Sequence, residues 1–164
     1  LRIVTAQQVS THAAAAIWGR LEARLGAVTP AALLAVPAED LRAVGLSARK
    51  VEYATGLARA VADGALDLDA LAHADDEAVV EAITALKGFG RWSAEIYLLF
   101  ALGRADAFPA DDLALRLALG RLKGTDERLA AGAARELVAP WAPWRGCGAI
   151  FLWHYYGAAT LDRT

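Results

Sequence analysis

The chain has 164 residues, 57% of them hydrophobic, and a formal net charge of −2. This length fits one domain, predicted over residues 1–164, and is enough to bury a sizeable core. The slightly acidic balance argues against a generic nucleic-acid coat protein, which is usually basic, but leaves room for a local phosphate site. The single cysteine excludes an internal disulfide and a four-cysteine iron–sulfur cluster.

Apolar residues recur at helical spacing along nearly the whole chain, and no stretch alternates with a period of two. We therefore expect an all-α protein, a compact bundle of about ten short helices joined by brief loops. In chain order, helices are predicted at residues 1–8, 11–25, 37–44, 48–62, 75–86, 92–102 and 144–158. A short helix starts at residue 30, and residues 68–72 form one turn at most. Two further helices end at residues 122 and 138. Ser10, Ser47 and Thr125 are the predicted N-caps of three of them.

The most informative stretch is residues 86–95, Leu-Lys-Gly-Phe-Gly-Arg-Trp-Ser-Ala-Glu, which lies between two helical segments. Gly88 and Gly90 allow positive φ and a close backbone approach to a ligand. Amides at the start of the second helix favour an anion such as phosphate, and Lys87 and Arg91 add positive charge. Taken alone, the glycines favour an ordinary helix corner with a glycine cap, because short glycine motifs often match by chance.

The whole string resembles the helix-hairpin-helix of the base-excision DNA glycosylase superfamily, in which a Gly/Pro-rich loop and an aspartate follow. That aspartate falls within residues 108–113, and the Trp92–Ala94 variant is similar to the DNA-3-methyladenine glycosylase II (AlkA type) branch. The similarity extends from about residue 7 to about residue 157. It implies a cleft beside the hairpin, double-stranded DNA with alkylated bases as partner, and a monomer.

Two adjacent acids, Asp111 and Asp112, precede an apolar helical run. One of them suffices as an N-cap, which is the plainest interpretation of either. The resemblance assigns the catalytic carboxylate to this helix start, with Asp112 the better match and Asp111 its neighbour. A fixed negative charge there stabilises the positive sugar that forms when an N-glycosidic bond breaks, and it can orient or deprotonate water. Arg116, one turn on, is predicted to keep the carboxylate ionised.

The resemblance also implies the class of glycosylase. Bifunctional relatives carry a lysine after the Gly-Arg pair, which attacks the sugar and leads to strand cleavage. Trp92 occupies that position here, and Lys87 is on the other side of the turn. We therefore expect a monofunctional hydrolase that leaves an abasic site.

A flipped, electron-poor base calls for an aromatic pocket. By resemblance the pocket residues are Trp92, Ile96, Trp153 and His154, with Ile96 replacing a tyrosine and His154 another aromatic residue. Core packing is the alternative for each tryptophan. We assign Trp18, Trp141, Trp144 and Cys147 to the core.

The remaining DNA contacts also come from the resemblance. Gln8 is the expected wedge that fills the gap left by a flipped base, with Gln7 supporting it; a solvated helix end is the alternative. The other expected DNA-binding residues are Gly88, Gly90, Arg91 and Ser93. No cofactor is expected to be required, but the backbone carbonyls of Thr84, Leu86 and Phe89 are predicted to hold a sodium or potassium ion.

The resemblance therefore predicts a base excision repair glycosylase for alkylated purines such as 3-methyladenine and 7-methylguanine. Two alternatives stay open: a glycosylase of the same fold for another damaged base, and a helix-hairpin-helix module that binds DNA without chemistry. Since no signal peptide or membrane span is visible, the expected location is the cytoplasm with the bacterial nucleoid, or the nucleus in a eukaryote. The chain begins at Leu1 and has no methionine, so a truncated N-terminus is also expected.

Overall fold

The computed structural model describes residues 1–125 and 127–161, and within these ranges it contains helices and no strand. This confirms the all-α prediction. The helices are α1 Arg2–Ala6, α2 Thr11–Leu25, α3 Pro30–Leu34, α4 Ala38–Ala43, α5 Ala48–Ala62, α6 Leu68–His73, α7 Asp76–Thr84, α8 Arg91–Phe100, α9 Leu113–Leu122, α10 Ala131–Val138 and α11 Arg145–Leu161, with a 3-10 turn at Ala139–Trp141. The chain divides into two compact units, Leu1–Ser93 and Ala94–Thr164. The prediction of a single domain stays a prediction.

The first unit is built around a small apolar core between short, well-capped helices. Ser10 and Ser47 accept hydrogen bonds from the amides of Ala13 and Lys50, so both predicted caps are confirmed. Apolar residues at helical spacing give α2 and α5 one apolar face each, and these faces pack inward. The buried cluster comprises Ile17, Leu21, Leu33, Leu41, Val44, Leu46, Val51, Ala54 and Ala58.

The second unit is organised by the contact of α9 with α11. Leu115, Leu119 and Leu152 are fully buried, and each contributes about 1.5–3 kcal/mol to stability. Gly146 on α11 lies so close to the loop before α9 that a Cβ there would come within 2.6 Å of the Ala105 carbonyl oxygen. The chain between α8 and α9 is therefore pressed directly against the first turn of α11.

Three residues of the second unit were predicted wrongly. Helix α10 begins at Ala131, and Thr125 does not cap it because its hydroxyl donates to the Gly120 carbonyl at the preceding helix end. Trp144 is 60% exposed and Cys147 is exposed, although both were assigned to the core. They line an apolar groove of about 350 Å³ with Leu122, Trp141, Gly148 and Phe151.

No helix within the described residues is long and apolar enough to cross a membrane.

Candidate functional site

The hairpin loop, residues 85–90 between α7 and α8, depends on one glycine. Gly88 has φ +90°, and a Cβ at this position would lie 2.3 Å from ring carbons of Tyr53, so no other residue fits. Gly90 has ordinary φ, and a Cβ added there would meet nothing within 4 Å, so the expected positive φ holds at Gly88 alone. Tyr53 had no signal in the sequence, because it reaches the loop from α5.

The two cationic side chains at the hairpin are both engaged by carboxylates. Lys87 Nζ lies 2.5 Å from Glu52 Oε1, and this hydrogen bond raises the pKa of the Lys87 ammonium above its ordinary value. The Arg91 guanidinium contacts Glu77 through two nitrogens, at 2.8 and 3.4 Å. Local positive charge is therefore largely cancelled, which leaves backbone amides as the main means of holding an anion here.

The turn between α1 and α2, residues 7–10, is called the Gln loop below. Gln7 is half-buried, and its amide nitrogen donates to the Gly88 carbonyl at 3.1 Å and to the Ser93 hydroxyl at 3.2 Å. Gln8 is exposed with φ +55°, a conformation that few residues other than glycine adopt. The structure thus brings Gln7, Gly88 and Ser93 together, and it leaves the Gln8 side chain at the surface.

Asp112 is the N-cap of α9 in the second unit, and it is half-buried. Its Oδ1 accepts hydrogen bonds from the Leu115 amide at 3.1 Å and from the Trp153 indole N–H at 3.2 Å. Two of the predicted site residues, Asp112 and Trp153, are therefore joined directly. The Arg116 guanidinium donates to the Leu129 carbonyl, so its predicted pairing with Asp112 has no support in the structure.

Asp111 is exposed and has a different environment from its neighbour. Arg135 links its Oδ2, at 3.4 Å, to the buried carboxylate of Glu95, at 2.7 Å. This bridge ties the turn before α9 to α8 and α10 and counters the negative charge next to Asp112. Sequence reasoning missed Arg135 and Glu95, because their partners are distant along the chain.

The predicted pocket residues occupy contrasting positions. Trp153 is half-buried and stacks on Phe100, with ring centroids 5.7 Å apart. His154 is exposed, and its Nδ1 lies 2.8 Å from the Ile150 carbonyl on its own helix. Ile96 is half-buried in the second unit, and Trp92 is half-buried in the first. Phe100, 63% exposed, was not predicted, because a lone apolar residue at a helix end carries no distinctive signal.

The three carbonyls predicted to hold a monovalent cation come from residues at the end of α7 and in the hairpin loop. Backbone carbonyls are suitable ligands for a hard cation, and the Leu86 carbonyl, which accepts from the Phe89 amide at 3.1 Å, keeps a second lone pair. The donor chemistry of Thr84, Leu86 and Phe89 therefore fits. Among the described residues no cluster of His, Cys, Asp or Glu is suited to holding a metal ion.

An all-helical chain in which a glycine turn opens one helix and an aspartate caps the next defines a helix-hairpin-helix protein with an acidic site. Comparison with known families identifies the superfamily. Residues 1–143 match the model of the HhH-GPD superfamily of base excision DNA repair proteins, and the chain belongs to that superfamily.

Among related proteins, the chain is 33% identical over 160 residues to DNA-3-methyladenine glycosylase 1 of Schizosaccharomyces pombe, covering 93% of this chain and 69% of the relative. The solved structure of a DNA-3-methyladenine glycosidase from Bacillus halodurans superposes with a TM-score of 0.81 at 34% identity, covering 98% of this chain and 75% of that one. The S. pombe Mag1 enzyme in complex with abasic DNA gives a TM-score of 0.86 at 31% identity, covering 93% and 76%. The chain spans only 40% of a Bacillus subtilis relative to which it is 32% identical.

Proposed function

We propose that this chain is a monofunctional DNA glycosylase of base excision repair that removes alkylated purines such as 3-methyladenine and 7-methylguanine from double-stranded DNA. The observation that carries the proposal is the contact of Asp112 with Trp153, which fixes a carboxylate beside an aromatic surface. The names of the relatives, glycosylases and glycosidases for 3-methyladenine, support the same substrate class.

In the proposed reaction the bond between C1′ and the purine nitrogen breaks, and the electron pair leaves with the base. An alkylated purine is already cationic, so it departs as a neutral molecule without a general acid. Asp112 stabilises the positive charge left on the sugar and receives the proton of the water that attacks C1′. Trp153 and Phe100, and by resemblance Trp92, Ile96 and His154, would contact the displaced base.

The proposed DNA contacts come from the hairpin and the Gln loop. The amides around Gly88 and Gly90 and at the start of α8, with the exposed Arg91, would hold a backbone phosphate, supported by a monovalent cation on the neighbouring carbonyls. Ser93 was expected among these contacts, but it is 1% exposed and bonded to Gln7, so it would support the loop from inside the protein. Gln8 would enter the space of the displaced base. Trp92, at the position of the lyase lysine, is the reason to expect an intact abasic strand as product. We propose that the enzyme acts as a monomer on nucleoid or nuclear DNA.

The test is release of 3-methyladenine and 7-methylguanine from methylated duplex DNA by the wild type, Asp112→Asn and Asp111→Asn. Asparagine is as good an N-cap as aspartate, so Asp112→Asn keeps the fold while removing the charge. We expect that variant to bind DNA and to lose at least about a hundredfold in rate, and Asp111→Asn to lose much less.

Three outcomes would redirect the proposal. If Asp112→Asn is as active as the wild type and Asp111→Asn is not, the neighbour is the catalytic group. If the wild type cleaves the strand, the monofunctional assignment is wrong. If it binds DNA and releases no alkylated base, a binding module or a glycosylase for another lesion becomes the better account.

A further inference from the structure

Gln7 connects two segments that are far apart in the sequence. Its primary amide has two N–H donors, and both are used within the first unit. One hydrogen bond goes to the backbone carbonyl of Gly88 in the hairpin loop, and the other goes to the hydroxyl of Ser93 in the first turn of α8. Ser93 is 1% exposed, so this amide faces the protein and not the solvent.

The Gln loop is fixed at its other points as well. The Lys50 ammonium donates to the Thr5 carbonyl at 2.8 Å, just before the loop, and Ser10 closes it by capping α2. Between these anchors Gln8 is held at φ +55°. A non-glycine residue stays in this unfavourable region only where its surroundings impose it. The backbone position from which the exposed Gln8 side chain projects is therefore fixed relative to the hairpin.

We infer that Gln7 is a positioning residue that couples the hairpin to Gln8, so that holding a phosphate and inserting Gln8 into the base stack become one event. This inference rests on the proposed function, because it needs a base to be displaced. A phosphate held at the hairpin fixes the position of the DNA backbone, and the two hydrogen bonds of the Gln7 amide then fix how deeply Gln8 reaches into the duplex. A displacement of about 1 Å in a positioning side chain is enough to reduce the rate of an enzyme strongly.

A double-mutant cycle on abasic DNA tests the coupling without requiring catalysis. The probe is a duplex with a tetrahydrofuran abasic-site analogue next to a 2-aminopurine, whose fluorescence rises when an inserted side chain disturbs the stack. We expect Gln7→Met, which keeps the length of the side chain but removes the donors, to lower the rate of that rise by about tenfold. We expect duplex affinity to stay within about twofold, because the amides of the hairpin are retained.

The decisive comparison is with Gln8→Ala. If Gln7 acts through Gln8, the double variant Gln7→Met/Gln8→Ala behaves like Gln8→Ala alone. Independent effects that multiply, or a Gln7→Met variant as fast as the wild type, would overturn the inference. So would a wild type that binds the duplex without any fluorescence change, since Gln8 then does not enter the stack.

Ser93→Ala is the control that distinguishes positioning of Gln8 by Gln7 from a purely structural role of Gln7. It removes one of the two acceptors, and we expect a smaller loss in the same direction that is not additive with Gln7→Met. Thermal unfolding of each variant fixes a temperature at which all are folded. Base release from methylated DNA is measured separately, so a wild type that opens the stack but releases nothing contradicts the proposed function and leaves the coupling standing.

Discussion

The hairpin and the Asp112 site use ion pairs in opposite ways. At the hairpin the pairs lie at the surface: the Lys87 and Glu52 side chains are 75% and 52% exposed, and those of Arg91 and Glu77 are 44% and 70% exposed. Such pairs contribute little to stability. In the second unit Arg135 reaches a Glu95 side chain that is only 5% exposed.

Arg145 extends this contrast. Its guanidinium and its backbone amide together make three hydrogen bonds to Asp106, which orders the start of α11 against the loop before α9. The ion pairs of the second unit therefore position backbone, whereas those at the hairpin reduce charge. The difference supports the proposal that the hairpin would hold a phosphate mainly through its backbone amides, whereas the Asp112 site depends on fixed side chains.

The largest effect on stability is expected from adding a methyl group at Gly88. Gly88→Ala meets both an unfavourable φ and the Tyr53 ring, and we expect it to lower stability by about 2–4 kcal/mol and to weaken DNA binding. Gly90→Ala is the matched control, because the space around it is open and its φ is ordinary. Thermal unfolding and duplex affinity measured on both variants check the prediction. Equal effects at the two positions would mean that the hairpin does not depend on the close approach of Tyr53.

Local signals in the sequence were enough for most of the fold, whereas the site residues came from the family resemblance and stay predictions. The caps at Ser10 and Ser47 were predicted correctly, because a cap bonds to amides two or three residues away. For α9 the sequence offered Asp111 or Asp112, and the structure shows that Asp112 is the cap. The predicted cap at Thr125 was wrong because the capping pattern considers only the residues that follow. The Thr125 hydroxyl instead donates to the carbonyl of Gly120, at the end of the preceding helix.

The contacts that assemble the site were beyond that reach. Gln7 meets Gly88 across 81 positions, and Trp153 meets Asp112 across 41, so no local pattern records either contact. Composition also misled at Trp144 and Cys147, which favour burial on average but line an open groove. The resemblance named the candidate site residues, and the structure added the hydrogen-bond partners of Gln7 and Asp112.

The side-chain dependence of the Asp112 site is tested by Trp153→Phe. Phenylalanine keeps an aromatic ring against Phe100 but removes the indole N–H that holds Asp112. Loss of a hydrogen bond to a charged group costs about 1.5–3 kcal/mol, and we expect base release to slow by about 10- to 100-fold. Trp144→Phe, in the open groove, is the control and should release base at the wild-type rate. An unaffected Trp153→Phe would show that Asp112 needs no such support.

A smaller effect is expected when the Arg145 bridge is cut. The hydrogen bond from Arg145 lowers the pKa of Asp106, so this pair stabilises the fold above the ordinary carboxyl pKa and loses that contribution as the pH falls through the folded value. Both side chains are about a third exposed, so we expect Asp106→Asn to cost only about 1 kcal/mol near neutral pH. Thermal unfolding from about pH 7 to about pH 3 checks this, and the gap between wild type and variant should close in acid. A gap that stays constant would mean that the charge on Asp106 does not contribute.

The smallest expected effect is on the hairpin charges, and it tests the contrast from the other side. If Glu52 and Glu77 only cancel local charge, Glu52→Gln and Glu77→Gln should leave folding intact and raise duplex affinity at low salt by about two- to fivefold. The gain should shrink as salt is added, with a salt dependence steeper by up to about one counterion per released cation.

Glu22→Gln, a change at an exposed acid on α2, is the control, because it makes the same change in net charge away from the hairpin. An equal gain from Glu22→Gln would assign the effect to net charge alone, whereas a loss of affinity in Glu77→Gln would mean that Glu77 aims Arg91 at the phosphate. Only a gain confined to the two hairpin variants supports a phosphate held by backbone amides whose neighbouring cations are weakened by their carboxylate partners.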